Sequence, residues 1–270
     1  MRFHYFSDLH LEAQDFALPL ERGDVLIIAG DLCQTRVFEA APDDGYARIQ
    51  RERVSRFADK ARANFSHIVL VPGNHDHYEG VFDDTAAIFR RHLPGFLVLD
   101  GESAEIDGVP IFGATLWSDF EGRDPDAMKR AGKGCGEFFF VKRRGVDTAG
   151  APILARFRPP DALAAFDRDV AALRAFCASA AEKRPLIVTH HAPSRAGLNP
   201  AFAGNGLDGA YASDLDELVA SSGAAVWVHG HTHIRRKYRV GGVEVRANCR
   251  SFADKDPTAR NFTVKTFFEL

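Results

Sequence analysis

Short apolar runs alternate along the chain with longer segments whose apolar residues recur every three to four positions. The short runs predict strands at residues 2–6, 25–29, 68–71, 96–99, 186–189 and 225–228. The run at 25–29 is apolar throughout, which is typical of a strand covered on both faces of a sheet, and the later runs have the same pattern.

The helical periodicity lies between these runs. It predicts helices at residues 46–64, from Pro160 to about residue 183 with Asp161 as a possible cap, and from about residue 213 to Gly223. Turn dipeptides predict two hairpins, one at Asp107-Gly108 and one at residues 241–242. Buried strands that alternate with helices, together with these hairpins, favour an α/β fold of mixed sheets with helices outside.

The stretch of about 117–160 is the least regular part of the chain and is rich in Gly, Lys and Arg. We interpret residues 1–270 as a single domain in which this stretch is a lid or an insertion. Its arginines at 143, 144, 156 and 158 are interpreted as a solvated face, since acidic residues at 119–126 dilute a basic patch.

Composition narrows the function classes. The 270 residues are 46% hydrophobic and 26% charged with a net charge of −3, so no overall positive field recruits nucleic acid or an anionic membrane. Four scattered cysteines without a C-x-x-C pair argue against a zinc ribbon or a disulfide framework. The first residues have the pattern of a strand, and no apolar run approaches the roughly 20 residues of a membrane span. We therefore expect a cytoplasmic protein that does not engage membranes.

Metal-binding residue types stand at the carboxyl ends of five of the apolar runs. They lie in the segments Asp8-Leu9-His10, Gly30-Asp31, Gly73-Asn74-His75-Asp76, His190-His191 and His229-Gly230-His231-Thr232-His233. Ligands bind at the carboxyl ends of the strands in α/β sheets, so these loops are expected to meet in space.

The residue types indicate the chemistry. Carboxylate, imidazole and amide ligands without a thiolate suit Mn, Fe, Zn or Ni in a hydrolytic site. Asp31 can bridge two cations, because one carboxylate binds both and reduces their repulsion. Two cations roughly 3.5–4 Å apart stabilise the attacking and leaving oxygens of a displacement at phosphorus.

The ordered motifs, from Asp8-x-His10 to Gly230-His231-x-His233, resemble the calcineurin-like metallophosphoesterase superfamily. The resemblance implies a four-layer sandwich of two mixed β-sheets flanked by helices. It implies two metal ions, with Mn or Fe favoured. One would be bound by Asp8, His10, Asp31 and His233, and the other by Asp31, Asn74, His190 and His231.

The resemblance also implies the mechanism. A metal-bridging hydroxide would attack phosphorus, His75 would assist the leaving oxygen, and Asp76 would orient the ring of His75. Contacts between substrate and His77, His191 or Arg195 stay open at this point, because loop structure alone accounts for these residues equally well.

The leading hypothesis is an enzyme that hydrolyses a phosphodiester or a phosphomonoester, with a small phosphate ester or a nucleotide as substrate. A protein phosphatase is disfavoured, because Gly30-Asp31 and Gly73-Asn74 lack the arginines that accompany these motifs there. The alternatives are a catalytically silent binding scaffold of the same fold and a nuclease acting on nucleic-acid ends. The scaffold is disfavoured because His75 and every ligand are present, and a nuclease needs a basic groove that composition does not show.

Overall fold

The computed structural model describes residues 1–252 and 260–270. A five-stranded sheet has the order β13-β1-β2-β3-β4. Its strands are β1 (Arg2–Phe6), β2 (Gly23–Ala29), β3 (Phe65–Val71), β4 (Phe96–Val98) and β13 (Phe267–Glu269). Strands β1 to β4 are parallel, and β13 pairs antiparallel with β1 at the edge.

A six-stranded sheet has the order β11-β12-β10-β9-β6-β5. Its strands are β5 (Glu102–Ile106), β6 (Val109–Ala114), β9 (Leu186–Thr189), β10 (Val226–His229), β11 (Arg235–Val240) and β12 (Val243–Asn248). The four central strands are parallel, whereas the hairpin partners β5 and β11 are antiparallel edge strands.

The helices cover the outer faces of the two sheets. They are α1 (Gly45–Asn64), α2 (Thr85–His92), α3 (Phe120–Arg123), α4 (Pro125–Gly134), α5 (Glu137–Phe140), α6 (Pro159–Ala180), α7 (Asp208–Tyr211) and α8 (Asp216–Ser221). The single turn α3 has left-handed dihedral angles at Glu121 and Gly122. Asp44 caps α1, since its side chain accepts a hydrogen bond from the Ala47 amide at 2.9 Å.

Three apolar clusters define the layers. The central cluster joins the facing sides of the sheets, with Ile27 and Val69 from one and Leu186 and Val188 from the other. A second cluster lies between the first sheet and α1, where Phe57 is buried. The third lies between the second sheet and α6. The arrangement is helix, sheet, sheet, helix, which confirms the expected four-layer fold.

The predicted elements are present with small differences at their ends. Both hairpins form, as β5–β6 and β11–β12. Helix α6 begins at Pro159, so Asp161 lies inside its first turn and accepts from the Arg158 amide at 2.9 Å instead of being the cap residue. The last of the predicted helices is shorter than expected, because α8 begins only at Asp216.

The stretch of 117–160 contains α3, α4, α5 and a two-stranded hairpin of β7 (Lys142–Val146) and β8 (Pro152–Arg156). Phe138 and Phe157 anchor it in the cluster above the second sheet. Its arginines are engaged locally: Arg143 pairs with Asp161 and Arg144 with Asp84. Across the described ranges, no helix combines the length and the apolar character that a membrane crossing requires.

Candidate active site

The loops that follow five parallel strands converge at one end of the two sheets. Strands β1, β2 and β3 run side by side in register, so Ser7-Asp8, Gly30-Asp31 and Pro72 to Asn74 leave the same edge. Strands β9 and β10 end at the facing edge of the second sheet, followed by His190 and by His231. The predicted motif residues therefore come together, as the expected strand order requires.

Five of these side chains are carried on left-handed backbone. Their φ angles lie between 47° and 64°, at Asp8, His10, Asp31, His231 and His233. This conformation costs a non-glycine residue on the order of 1–3 kcal/mol, and it persists where the surrounding structure imposes it. Here it turns the chain sharply at the strand end, so that successive ligand side chains enter the same space. Strain of this kind concentrates at functional sites.

Three glycines allow the loops to approach each other. A Cβ on Gly30 would lie 2.2 Å from Nδ1 of His190, and one on Gly73 would lie 2.2 Å from Oδ1 of Asp31. A Cβ on Gly230 would lie 2.6 Å from the carbonyl oxygen of Ala29. No side chain fits at these positions, which explains why each glycine precedes a ligand motif.

A first ligand cluster is formed by Asp8, His10 and His233. Nε2 of His233 lies 3.4 Å from Oδ1 of Asp8 and 3.3 Å from Nε2 of His10. Asp8 also accepts from the backbone amide of His231 with both oxygens, each at 3.1 Å. These contacts hold the carboxylate ionised, and the nearby histidines lower its pKa despite its complete burial.

A second ligand cluster is formed by Asp31, His190 and His231, with Asn74 beside it. Nε2 of His190 lies 3.4 Å from Oδ2 of Asp31 and 2.9 Å from Oδ1 of Asn74. The ring of His231 stacks on Tyr211 with centroids 4.5 Å apart. Both oxygen and nitrogen ligands therefore face one point.

Contacts at Nδ1 orient three of the histidines. His10 bonds to Oε1 of Glu12 at 2.8 Å, His190 donates to the Ala29 carbonyl at 2.8 Å, and His233 bonds to Oγ of Ser251 at 2.7 Å. A donor role at Nδ1 leaves Nε2 with its lone pair toward the clusters, and a metal ligand needs this tautomer.

Asp31 lies between the two clusters. Its Oδ1 accepts from the His75 amide at 2.8 Å, while Oδ2 lies 3.9 Å from Nε2 of His10 on one side. On the other side Oδ2 faces Nε2 of His190. Among the described residues Oδ2 has no hydrogen-bond donor, although it is buried. A buried carboxylate oxygen without a donor is costly, so the residues fit a shared pair of cations.

His75 is held above the first cluster. Its Nδ1 lies 3.1 Å from Oε1 of Glu12, and its ring stacks on Tyr78 with centroids 4.2 Å apart. The side chain is 22% exposed, so it can reach a bound substrate. Burial opposes the charged ring, but the carboxylates of Asp31 and Glu12 outweigh it and raise the pKa of His75 to about 9.

The expectation that Asp76 orients His75 is wrong. Its Oδ1 accepts from the Cys33 amide at 2.8 Å, and its Oδ2 accepts from the amides of Asp31 and Gly73 at 3.0 and 2.7 Å. Asp76 therefore ties the second and third ligand loops together. His75 and Asp76 are adjacent in a short helical turn. This turn directs the side chain of Asp76 into the protein, whereas the side chain of His75 faces outward.

Two glutamates that sequence reasoning missed complete the site. Glu12 contacts both His10 and His75, and burial of its carboxylate is outweighed by these histidines, which lower its pKa to about 2. Glu137, from α5 in the irregular stretch, accepts from Nδ2 of Asn74 at 3.3 Å and from the Tyr78 hydroxyl at 3.2 Å. Glu12 lies two residues after His10, a spacing that could have identified it. Glu137 carries no such signal.

The three residues for which a substrate contact was left open differ in their surroundings. His77 is buried and bonds to Thr85 at 2.8 Å, and His191 is buried against His231 and Trp117. Burial lowers the pKa of each ring to about 3. Both are packed, neutral residues and not exposed substrate contacts.

Arg195 is 46% exposed and pairs with Glu121 at 3.4 Å. His229 is a satisfied core residue that bonds to Tyr238.

Comparison with known proteins agrees with this arrangement. A family model described as calcineurin-like phosphoesterase matches residues 1–235. An uncharacterized protein of Acanthamoeba polyphaga mimivirus is 22% identical over 294 residues, covering 98% of this chain and 95% of the relative. The structure of phosphopantetheinyl hydrolase from Mycobacterium tuberculosis superimposes with a TM-score of 0.58 at 18% identity, covering 95% of this chain and 93% of that one, and so shares the fold. The chain therefore belongs to the calcineurin-like phosphoesterase family, whose members are metal-dependent hydrolases of phosphate esters.

Proposed function

We propose that this protein is a dinuclear metal-dependent phosphoesterase that hydrolyses a small phosphodiester or phosphomonoester. The observation that carries the proposal is the position of Asp31. Its carboxylate stands between two clusters of ligand atoms, with one buried oxygen that has no donor among the described residues. A bridging carboxylate is what a pair of cations requires.

The ligand assignment corresponds to the two clusters. Asp8, His10, Asp31 and His233 would hold one cation, and Asp31, Asn74, His190 and His231 would hold the other. When bound, the pair supplies a nucleophilic water at neutral pH and neutralises charge on the phosphoryl oxygens. The oxygen and imidazole ligands suit Mn, Fe, Zn or Ni, and we favour Mn or Fe.

We assign protonation of the leaving oxygen to His75. Its Nδ1 is engaged with Glu12, which leaves Nε2 as the nitrogen that faces a substrate. From there it donates a proton to the leaving oxygen as the ester bond breaks. Tyr78 and Glu12 fix the ring from two directions, so the proton is delivered at a defined point. We assign Glu12, not Asp76, as the residue that positions His75.

A catalytically silent binding scaffold would lack some residues of the site. This chain retains His75 and all of the proposed ligands. A nuclease is disfavoured because Arg143 and Arg144 of the irregular stretch are engaged with Asp161 and Asp84. A small ester, including a nucleotide, is the proposed substrate, and a cytoplasmic location remains our expectation.

Two substitutions test the proposal. Protein expressed with Mn should contain about two metal ions per chain by elemental analysis, and D31N should lose most of this metal because both sites share the carboxylate. H75A should keep the metal and lose about 100-fold or more in kcat on chromogenic esters. Wild-type protein without bound metal, or H75A with undiminished turnover on every ester, contradicts the assignment.

A further inference from the structure

A cavity of about 150 Å³ opens directly beside His231 and His233. An apolar wall is formed by Leu198, Phe202 and Tyr211. Phe202 is 47% exposed. Cavities of this volume hold a single benzene-sized ring. The cavity thus has the size and lining of a site for one flat apolar group.

Tyr211 presents a fixed surface to this cavity. Its ring stacks on His231 with an interplanar angle of 21°, and it is held at the end of α7. Because His231 belongs to the second ligand cluster, a group lying on Tyr211 is within reach of a phosphoryl group at the metal site. The two sites are therefore contiguous.

The charge of the lining disfavours a further phosphate in the cavity. Among the described residues that line the cavity there is no Lys or Arg, and Asp208 contributes a carboxylate. A second phosphate or another anion in the cavity would face this carboxylate without a cation. The group that enters is therefore not an anion.

We infer that this cavity is the binding site for the organic part of the substrate, a planar, ring-sized group without negative charge. The inference rests on the proposed phosphoesterase function and deepens it, since the substrate becomes a phosphate ester of a compound that carries such a ring.

The first test needs no metal. Phenol is mixed with EDTA-treated protein, and saturation transfer from protein to ligand is measured by NMR, with choline as a cationic comparison. Wild type should transfer saturation to phenol and not to choline. F202A should reduce the transfer at least threefold, because it removes an aromatic wall. The matched control F267A truncates an exposed phenylalanine on β13 and should leave the transfer unchanged. Equal transfer in F202A and wild type, or stronger transfer to choline than to phenol, overturns the cavity assignment.

A second measurement links the cavity to catalysis. Phenyl phosphate and methyl phosphate are compared as competitive inhibitors of the Mn-loaded enzyme. F202A should raise the inhibition constant of phenyl phosphate about fivefold and leave that of methyl phosphate within about twofold. An equal effect on both inhibitors contradicts the inference. If no chromogenic ester is hydrolysed, the proposed function fails and the metal-free phenol binding alone decides the cavity.

Discussion

At the scale of single residues, the site depends on partners that hold each ligand in one orientation. Three imidazoles of the clusters have a fixed partner at Nδ1, such as the Ala29 carbonyl for His190. Such partners commonly contribute 10- to 100-fold to metal affinity or activity. Glu12 and Glu137 are two such partners that are not themselves proposed ligands.

Replacement of Glu12 tests its action through His75. E12Q should lower kcat by about tenfold with KM within about twofold when metal is saturating, because the loss falls on the orientation of the leaving-group proton donor. The exposed residue Glu52, which pairs with Arg48 on α1, provides the control E52Q, and this variant should retain wild-type kinetics.

The double variant distinguishes positioning from a general structural effect. If Glu12 acts through His75, E12Q should cause no further loss in an H75A background. Steady-state kinetics of the four proteins measures this, with metal content as a parallel readout. Multiplicative losses contradict the positioning role.

Replacement of Glu137 tests the support of Asn74. E137A removes the acceptor of the Asn74 amide, so Oδ1 is no longer held toward His190, and Mn affinity should fall about 10- to 100-fold. E137Q retains an acceptor oxygen and should lose far less. Mn titration followed by calorimetry compares them. Equal affinity of E137A and wild type contradicts this role.

At the scale of elements, the site is made by strand ends and the turns attached to them. The left-handed backbone at Asp8 and Asp31 redirects the chain within one residue, and the glycines allow adjacent loops to touch. The loops are held to each other by Asp76, which accepts amides from both Asp31 and Gly73. A change that separates these loops should affect metal binding before it affects the sheets.

A pair of glycine substitutions tests this dependence. G73A places a methyl group 2.2 Å from Asp31, so the loops must separate, and both metal content and activity should fall to background. G45A, at the first residue of α1 with open space around it, should be neutral or stabilise by about 0.4–1 kcal/mol. Elemental analysis and thermal unfolding of both variants provide the measurement. Full metal occupancy in G73A would show that the loops have room to adjust.

At the scale of the whole molecule, each proposed cation receives ligands from both sheets. Asp8 and His10 follow β1 in the first sheet, whereas His233 follows β10 in the second. Bound metal would therefore tie the two sheets together at their common edge. Elsewhere the central apolar cluster joins them, together with hydrogen bonds such as that from Nδ2 of Asn248 to the Tyr5 carbonyl at 2.9 Å.

Metal removal should lower stability measurably. Mn at 100 times its dissociation constant stabilises the folded chain by about 2.7 kcal/mol per site, so EDTA should lower the melting temperature and Mn should restore it. In D31N the melting temperature should respond little to either treatment. A wild-type melting temperature that is independent of Mn and EDTA contradicts tight binding to the folded state.

The sequence by itself determined the layers and the common edge at which the proposed ligands meet. Apolar runs such as 25–29 specify buried parallel strands, and polar motifs at their carboxyl ends must then meet, because parallel strands end at one edge. Asp31, for example, comes directly after such a run and can only emerge at that edge. Local pattern and strand direction suffice for this part of the structure.

Tertiary structure alone decided the contacts made across long separations. Glu137 reaches Asn74 across 63 positions from a stretch without clear periodicity, and Glu12 takes the place beside His75 that Asp76 was expected to fill. His191 and His77 carry the same chemistry as ligands but are packed against Trp117. The direction of a side chain after a turn depends on backbone angles and on packing by distant elements, and neither is encoded in the spacing of residues.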